Sequence, residues 1–281
     1  MSPPATPLTA LLFTPGARLD RLPKAVASGA DGVIVDLEDA VAVAEKDRVR
    51  SEVVAYFKAH GRVPADRPFH SVIRLNHLRG AIGRSDLDAL NAAAVRPDLV
   101  MLAKVESAAE VQLAARQLPE SVRFICLIET VQGVRRCASI AEASPRVVAL
   151  AFGGLDLSAE TGGEPTWDAL LWPRTVVVHA CAAVGLIALD QPFIDFTDAA
   201  GLADECRRTR ALGFAGKLAI HPNQIEVIRR SYQPTPEQVA QARQIVAAYD
   251  AAGGNVAAVD GQMIDVPHYR SAQRILVRVG Q

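Results

Sequence analysis

Short apolar runs alternate with helix-patterned stretches along almost the whole chain. The runs are ALLF, VIV, SVI, LVML, FICLI, VVALAF, LIAL and KLAI. A short apolar run bounded by polar residues reads as a strand buried on both faces. Between the runs, apolar residues recur at helical spacing, as with Leu19, Leu22, Ala25 and Val26, then Val49, Val53 and Tyr56. Strands separated by helices pair in parallel and need crossover connections, so the sheet either closes into a barrel or stays open and doubly wound. Eight strand–helix alternations fill about the length an eight-stranded barrel needs, roughly 250 residues. The open sheet is the weaker alternative, because no Gly-rich phosphate fingerprint follows the first run. The expected fold class is α/β, a (β/α)8 TIM barrel over 1–232.

The segment 233–281 is more than a barrel requires. It opens on Thr235, Pro236 and Gln238, an N-cap, a first-turn proline and a reciprocal capping partner. Gly253 and Gly254 close that helix, and VDGQMIDVPHYRSAQRIL supplies a loop and a final helix. The expectation is a C-terminal helical extension that packs on the barrel and on a neighbouring subunit.

With 50% hydrophobic and 22% charged residues and a net charge of −1, composition excludes some classes. No basic patch stands out, so no nucleic-acid partner is expected. The apolar runs are strand-length, so no membrane span is expected. The opening MSPPATPLTALLFTPG lacks a basic stretch and a long apolar core, unlike a signal peptide. Cys126, Cys137, Cys181 and Cys206 show no CxxC spacing. Reduced, buried thiols in a cytoplasmic protein are the expected state.

In such a barrel, functional groups sit at the carboxyl ends of the strands. FICLI runs into Glu129 and Thr130, and VVALAFGGLD ends at Asp156. A buried carboxylate is costly unless it is paired or holds a cation. Two acids ending consecutive strands point to one cation between them, with a salt bridge under the rim as the competing reading. The remaining strand ends carry Asp36, Glu38 and Asp39; Arg74 and Asn76; Lys104 and Glu106; Asp190; and His221. A donor set of carboxylates suits Mg²⁺ or Mn²⁺, with water and substrate oxygens completing the octahedron. Lys104 and Glu106 read equally well as rim charges, and His221, before Pro222, as a loop tie. No Gly-x-Ser-x-Gly elbow or Cys–His pair supports a covalent hydrolase. GFAGK lacks the Gly-Lys-Ser/Thr run of a phosphate loop and reads as a turn.

Together and in order, LFTPGARLDRLPKA, DGVIVDLEDAV, VIRLN, LAKVES, IET, AFGGLDLS, GFAGKLAIHPNQI and GQMID resemble one family. It is that of the citrate lyase beta-subunit-like proteins, relatives of malyl-CoA and citramalyl-CoA lyases among the metal-dependent aldolases. The resemblance spans nearly the whole chain. It implies that Glu129 and Asp156 are the Mg²⁺ ligands and that Arg74 contacts substrate oxygens where negative charge develops. It implies that Arg18 and Lys24 hold the phosphates of coenzyme A. Glu38 and Asp39 match acids that support the metal waters and the arginine; the wider class often has histidine where Asp39 stands. Asp265 matches an acid donated by the adjacent subunit, which requires a homo-oligomer, a trimer by family analogy.

The implied activity is Mg²⁺-dependent cleavage of a citramalyl-CoA- or malyl-CoA-type thioester into acetyl-CoA and a 2-oxoacid, reversible Claisen chemistry. Gly153 and Gly154 are expected at the substrate, with backbone N–H groups around them reaching its carboxylate because glycine allows close approach. Arg74→Ala is expected to stop turnover with the fold intact. The alternatives are a citrate lyase beta subunit acting on a citryl thioester with partner chains, a thioesterase or malate-synthase-like activity at the same site, and an inactive CoA-binding paralogue.

Overall fold

The structure, a computed structural model, describes residues 8–279. The proline-rich lead, residues 1–7, lies outside the described residues. Eight parallel strands close into a barrel in chain order: β1 (Ala10–Pro15), β2 (Gly32–Asp36), β3 (His70–Leu75), β4 (Leu99–Leu102), β5 (Arg123–Ile128), β6 (Val147–Phe152), β7 (Ile187–Asp190) and β8 (Gly216–Ala219). β8 pairs with β1 in the register Ala10–Lys217, Leu11–Leu218 and Leu12–Ala219, which leaves no free edge. This is the (β/α)8 barrel the alternation predicts.

Side chains alternate across each strand, so the inward set is fixed by counting in twos. Leu11, Ile34, Val72, Met101, Ile125, Leu127, Ala149, Ala151, Leu189 and Leu218 form one buried cluster that fills the barrel. Two residues past this core, toward the carboxyl ends, the same parity brings Asp36, Arg74 and Glu129 to the mouth. Register places Asp36 directly beside Arg74.

The opposite parity puts Asp190 on the outer face. It lies in register with Lys217, and both are fully buried under the surrounding helices. Asp190 accepts from Arg174 at 2.9 Å and pairs with Lys217, whose Nζ also donates to Glu205 at 2.6 Å. Asp190 therefore belongs to a buried charge cluster between barrel and helices, not to the mouth where the strand-end inventory puts it.

Helix boundaries differ from the sequence pattern where local chemistry intervenes. The helix predicted over 18–28 is a 3₁₀ turn, Gly16–Arg21, followed by an α-helix, Leu22–Ala27. Pro23, whose missing N–H is tolerated only in a first turn, marks the restart. The sequence pattern also predicts a helix over 86–95; in the structure it begins earlier, at Ala81, and ends at Ala92. Gly83 weakens the pattern there, yet a Cβ at that position would lie 2.2 Å from the His77 carbonyl oxygen. Close approach of two backbones demands the glycine.

The chain divides into two compact units, one running to Arg229 and the other starting at Arg230. In the second, the capping box of Thr235 and Gln238 starts the helix Pro236–Ala251. An antiparallel hairpin of β9 (Ala257–Val259) and β10 (Gln262–Ile264) follows, then the helix Val266–Arg278. The two helices pack through Tyr249 and Tyr269, with ring centroids 4.6 Å apart. Among the described residues no helix is long and apolar enough to cross a membrane.

Candidate active site

Arg74 is the centre of the mouth. Its Nε and Nη2 each donate to one oxygen of Asp36 at 2.7 Å, the two-point geometry that guanidinium and carboxylate planes favour. Nη1 reaches Glu38 at 3.1 Å and Asp39 at 3.5 Å. The Phe13 ring lies under the guanidinium, 4.7 Å away. Burial works against the charge, but the Asp36 hydrogen bonds and the charges of Asp36, Glu38 and Glu129 outweigh it and raise the Arg74 pKa. Arg74 is therefore a permanent cation.

The loop after β2 is held from both sides. Asp36 accepts the Glu38 N–H at 2.9 Å and the Ala40 N–H at 3.2 Å. Lys46 Nζ caps the Leu37 and Glu38 carbonyls at 2.8 and 2.5 Å. Asn76 donates to the Leu37 carbonyl and to Asp86, so it ties loops together. Burial, with the neighbouring Asp39, pushes the Glu38 carboxyl up to about 7 against the pull of Arg74 and Lys104.

Glu129 follows β5 and is buried. Its Oε1 accepts the Lys104 N–H at 2.9 Å. Its Oε2 looks onto Gly153. A Cβ there would lie 2.7 Å from Oε2 and 2.6 Å from the Glu129 Cβ. Burial, reinforced by Asp156 and Glu38, holds this carboxyl well above the usual range despite Arg74 and Lys104. Asp156 sits in the first turn of the helix Gly154–Thr161, where the helix dipole favours an acid. Its Oδ1 is 3.8 Å from Lys104 Nζ.

The glycines act differently from expectation. The Gly153 N–H is given to the Ile128 carbonyl at 3.0 Å and the Gly154 N–H to Gln191 Oε1 at 2.5 Å. Their contribution is space for the Glu129 carboxylate and for Gln191, not donors for a substrate. The next N–H groups, of Leu155 and Asp156, head the helix without intrahelical acceptors. Gly153→Ala should therefore displace the Glu129 carboxylate and cut turnover roughly 10²-fold, within the range for misplaced catalytic geometry. Steady-state kinetics beside a thermal melt checks this, with the melt little changed.

Asp36, Asp39, Arg74, Glu129 and Asp156 line one cleft of ≈ 420 Å³. Acids and Arg74 share the lining with Leu127, Phe152, Ile194, Leu218 and Ile220. No cluster of three or more His, Cys, Asp or Glu side chains with ligand geometry occurs among the described residues. The pair Glu129 and Asp156 is nonetheless a fitting seat for a hard divalent cation. It offers a buried carboxylate whose Oε2 looks onto the glycine at 153, and a second acid at the mouth. Such an ion keeps several waters and needs few protein ligands.

Other candidates fall elsewhere. Arg18 is exposed and forms a two-point pair with Asp20, at 2.9 and 2.8 Å. Lys24 is exposed on Leu22–Ala27. Neither lines the cleft. Asp265 belongs to the second unit, where it caps Val266–Arg278 and meets His268 Nδ1 at 2.5 Å. Glu106 pairs with Arg79 at 3.1 Å, and His221 stacks on Phe196 at 4.7 Å, a rim pair and a loop tie. Phe13 and Gln191 had no signal in the sequence beyond their place at strand ends.

A family model described as HpcH/HpaI aldolase/citrate lyase matches residues 9–222. The human mitochondrial citramalyl-CoA lyase is 31% identical over 95% of this chain and 84% of its own length. An L-malyl-CoA/beta-methylmalyl-CoA lyase of Cereibacter sphaeroides is 32% identical over 98% of this chain and 95% of its own. A crystal structure of CitE from Mycobacterium tuberculosis, in complex with magnesium, acetoacetate and coenzyme A, superposes with a TM-score of 0.84 at 36% identity, covering 99% of both chains. The barrel, its mouth of acids around one arginine and these likenesses agree: the chain belongs to the HpcH/HpaI aldolase/citrate lyase family.

Proposed function

We propose that the chain is a Mg²⁺-dependent carbon–carbon lyase that cleaves a 3-hydroxyacyl-CoA thioester of the citramalyl-CoA or malyl-CoA type. The products are acetyl-CoA and a 2-oxoacid. The observation that carries the reading is the convergence of Glu129, Asp156 and Arg74 on one cleft. Glu129 and Asp156 would hold the ion, which when bound would supply Lewis acidity for ionising the substrate's hydroxyl. The N–H groups of Leu155 and Asp156 receive that carboxylate. The hydroxyl gives its proton to water, the oxygen's pair closes the carbonyl of the 2-oxoacid, and the electron pair of the broken carbon–carbon bond passes to the thioester as its enolate. Arg74, held rigid by Asp36, stabilises the enolate oxygen. Asp265 of an adjacent subunit protonates the enolate carbon, and Arg18 and Lys24 hold the coenzyme A phosphates.

Charge accounting favours a small apolar substituent on the reacting carbon. Arg74 and Lys104 are already engaged by Asp36, Glu38, Asp39 and Asp156. Arg74 is the one cation in the cleft's lining among the described residues, so a citryl group's additional carboxylate finds no free cation there.

The shared acid makes the active form a homo-oligomer, which we propose is a trimer. In this reading the barrel is residues 1–232, and the extension over 233–281 delivers Asp265 to the neighbouring subunit. The four free cysteines are buried, with their thiols pushed up by burial, which supports a reducing, cytoplasmic setting.

The test offers the purified chain citramalyl-CoA, malyl-CoA and citryl-CoA separately with Mg²⁺. Acetyl-CoA together with pyruvate or glyoxylate is the expected outcome. Free CoA in their place makes the chain a thioesterase. Activity on citryl-CoA alone contradicts the charge accounting.

A further inference from the structure

Lys104 meets every acid of the mouth except Asp36, and with two different groups. Its backbone N–H donates to Glu129 Oε1 at 2.9 Å. Its ammonium lies 2.5 Å from Glu38 Oε1, 3.3 Å from Asp39 Oδ1 and 3.8 Å from Asp156 Oδ1. Counting in twos from Met101, which faces inward, would send Lys104 outward. Its backbone breaks the count: φ is +49°, the left-handed region that non-glycine residues enter at a cost. Ala94 and Asp260 share such a value among the described residues; Lys104 differs from them in meeting Glu129 and Asp156, which line the cleft. At Lys104 the unusual conformation aims the N–H at one proposed metal ligand and the side chain at the other. Strained residues persist where the surroundings over-determine them, commonly at functional sites.

Resting on the reading of Glu129 and Asp156 as ligands, we propose that Lys104 is a positioning residue that weakens divalent-cation binding while it improves catalysis. The backbone N–H fixes the Glu129 carboxylate. The ammonium offsets part of the negative charge around Asp156, so the ion is held less tightly than by the acids alone. The same ammonium anchors Glu38 and Asp39, which flank Arg74. A cation seat of this kind carries enough charge to recruit the ion and enough compensation to leave its outer positions exchangeable. Removing the lysine charge therefore moves two observables in opposite directions, which a merely structural role does not do.

The experiment uses full-length, metal-stripped protein and Mn²⁺ alone, with free Mn²⁺ read by electron paramagnetic resonance. Lys104→Met should tighten Mn²⁺ binding on the order of tenfold, the effect of deleting a cation a few ångströms from the ion. Its kcat should fall roughly 10–100-fold, as for lost support around metal ligands. Lys104→Arg keeps the charge and should bind Mn²⁺ close to the wild type. Lys104→Gln, neutral and able to hydrogen-bond, serves if the methionine variant does not fold, and should also tighten binding. Unchanged or weaker Mn²⁺ binding by the neutral variants overturns the proposal, as does a parallel fall of affinity and melting temperature. Glu129→Gln separates the two claims. If it binds Mn²⁺ as the wild type does, the metal-site reading itself fails. If it loses Mn²⁺ while the neutral Lys104 variants do not tighten, only the role of Lys104 fails.

Discussion

Glu129→Gln should abolish high-affinity divalent-cation binding and lower turnover by roughly 10³-fold, the scale of losing the main source of charge stabilisation. Glutamine keeps the shape and can still accept the Lys104 N–H, so the fold should survive. The metal-free fold should in fact gain stability near neutral pH. Burial raises the Glu129 pKa in the folded chain, so its ionisation opposes folding. The stability of the glutamate form is fully present below the ordinary carboxylate range and is lost as pH rises through the raised value. The glutamine form has no such loss. Urea denaturation at several pH values should show the variant more stable at high pH and equal to the wild type at low pH. The same linkage predicts that Mn²⁺ affinity of the wild type climbs with pH, because the ion displaces the carboxyl proton. A Glu129→Gln protein that turns over normally removes the metal role.

Arg74 carries the second large effect, and here the geometry revises the expectation of an intact fold. Arg74→Ala leaves Asp36 buried at 2% exposure without the partner that holds both its oxygens. Breaking such a pair costs about 3–5 kcal/mol. The alanine variant should therefore be inactive and destabilised together, which makes it a poor probe of chemistry. Arg74→Lys is the better one. An ammonium cannot bridge both oxygens of Asp36 while reaching Glu38 and Asp39. We expect turnover to fall roughly 10²–10³-fold, with a smaller loss of stability than for alanine. Adding Asp36→Asn to Arg74→Ala should return part of the lost stability and none of the activity. Paired chemical denaturation and kcat measurements decide this. Lysine at full kcat would show that the two-point guanidinium geometry is unnecessary.

Much of the barrel was legible because two periodicities separate cleanly along the chain. Runs such as FICLI and VVALAF could only be doubly buried strands, and parity then fixes which of their neighbours face inward. Glu129 is two residues past Leu127, and Arg74 two past Val72, so both were legible as mouth residues. Asp190 was misplaced because the strand-end argument ignored parity: it is adjacent to inward-facing Leu189, and so faces out. Lys104 could not be placed by any period, because a left-handed backbone conformation reverses its side chain. The donor role expected of Gly153 and Gly154 failed on partners distant in sequence, the Ile128 carbonyl and Gln191. No local pattern in the sequence announces either contact. A pairing of Arg74 with Asp36 or Glu38 was legible from their shared place at neighbouring strand ends, and the register sets Asp36 beside it.

The central claim is that a divalent ion at Glu129 and Asp156 is required to break a carbon–carbon bond. The most direct measurement strips the purified protein of metal, adds citramalyl-CoA or malyl-CoA, and follows acetyl-CoA by chromatography while Mg²⁺ is titrated back. The account predicts no acetyl-CoA at the start, a saturable rise with Mg²⁺ and arrest on adding chelator. Acetyl-CoA released at full rate in excess chelator would contradict it.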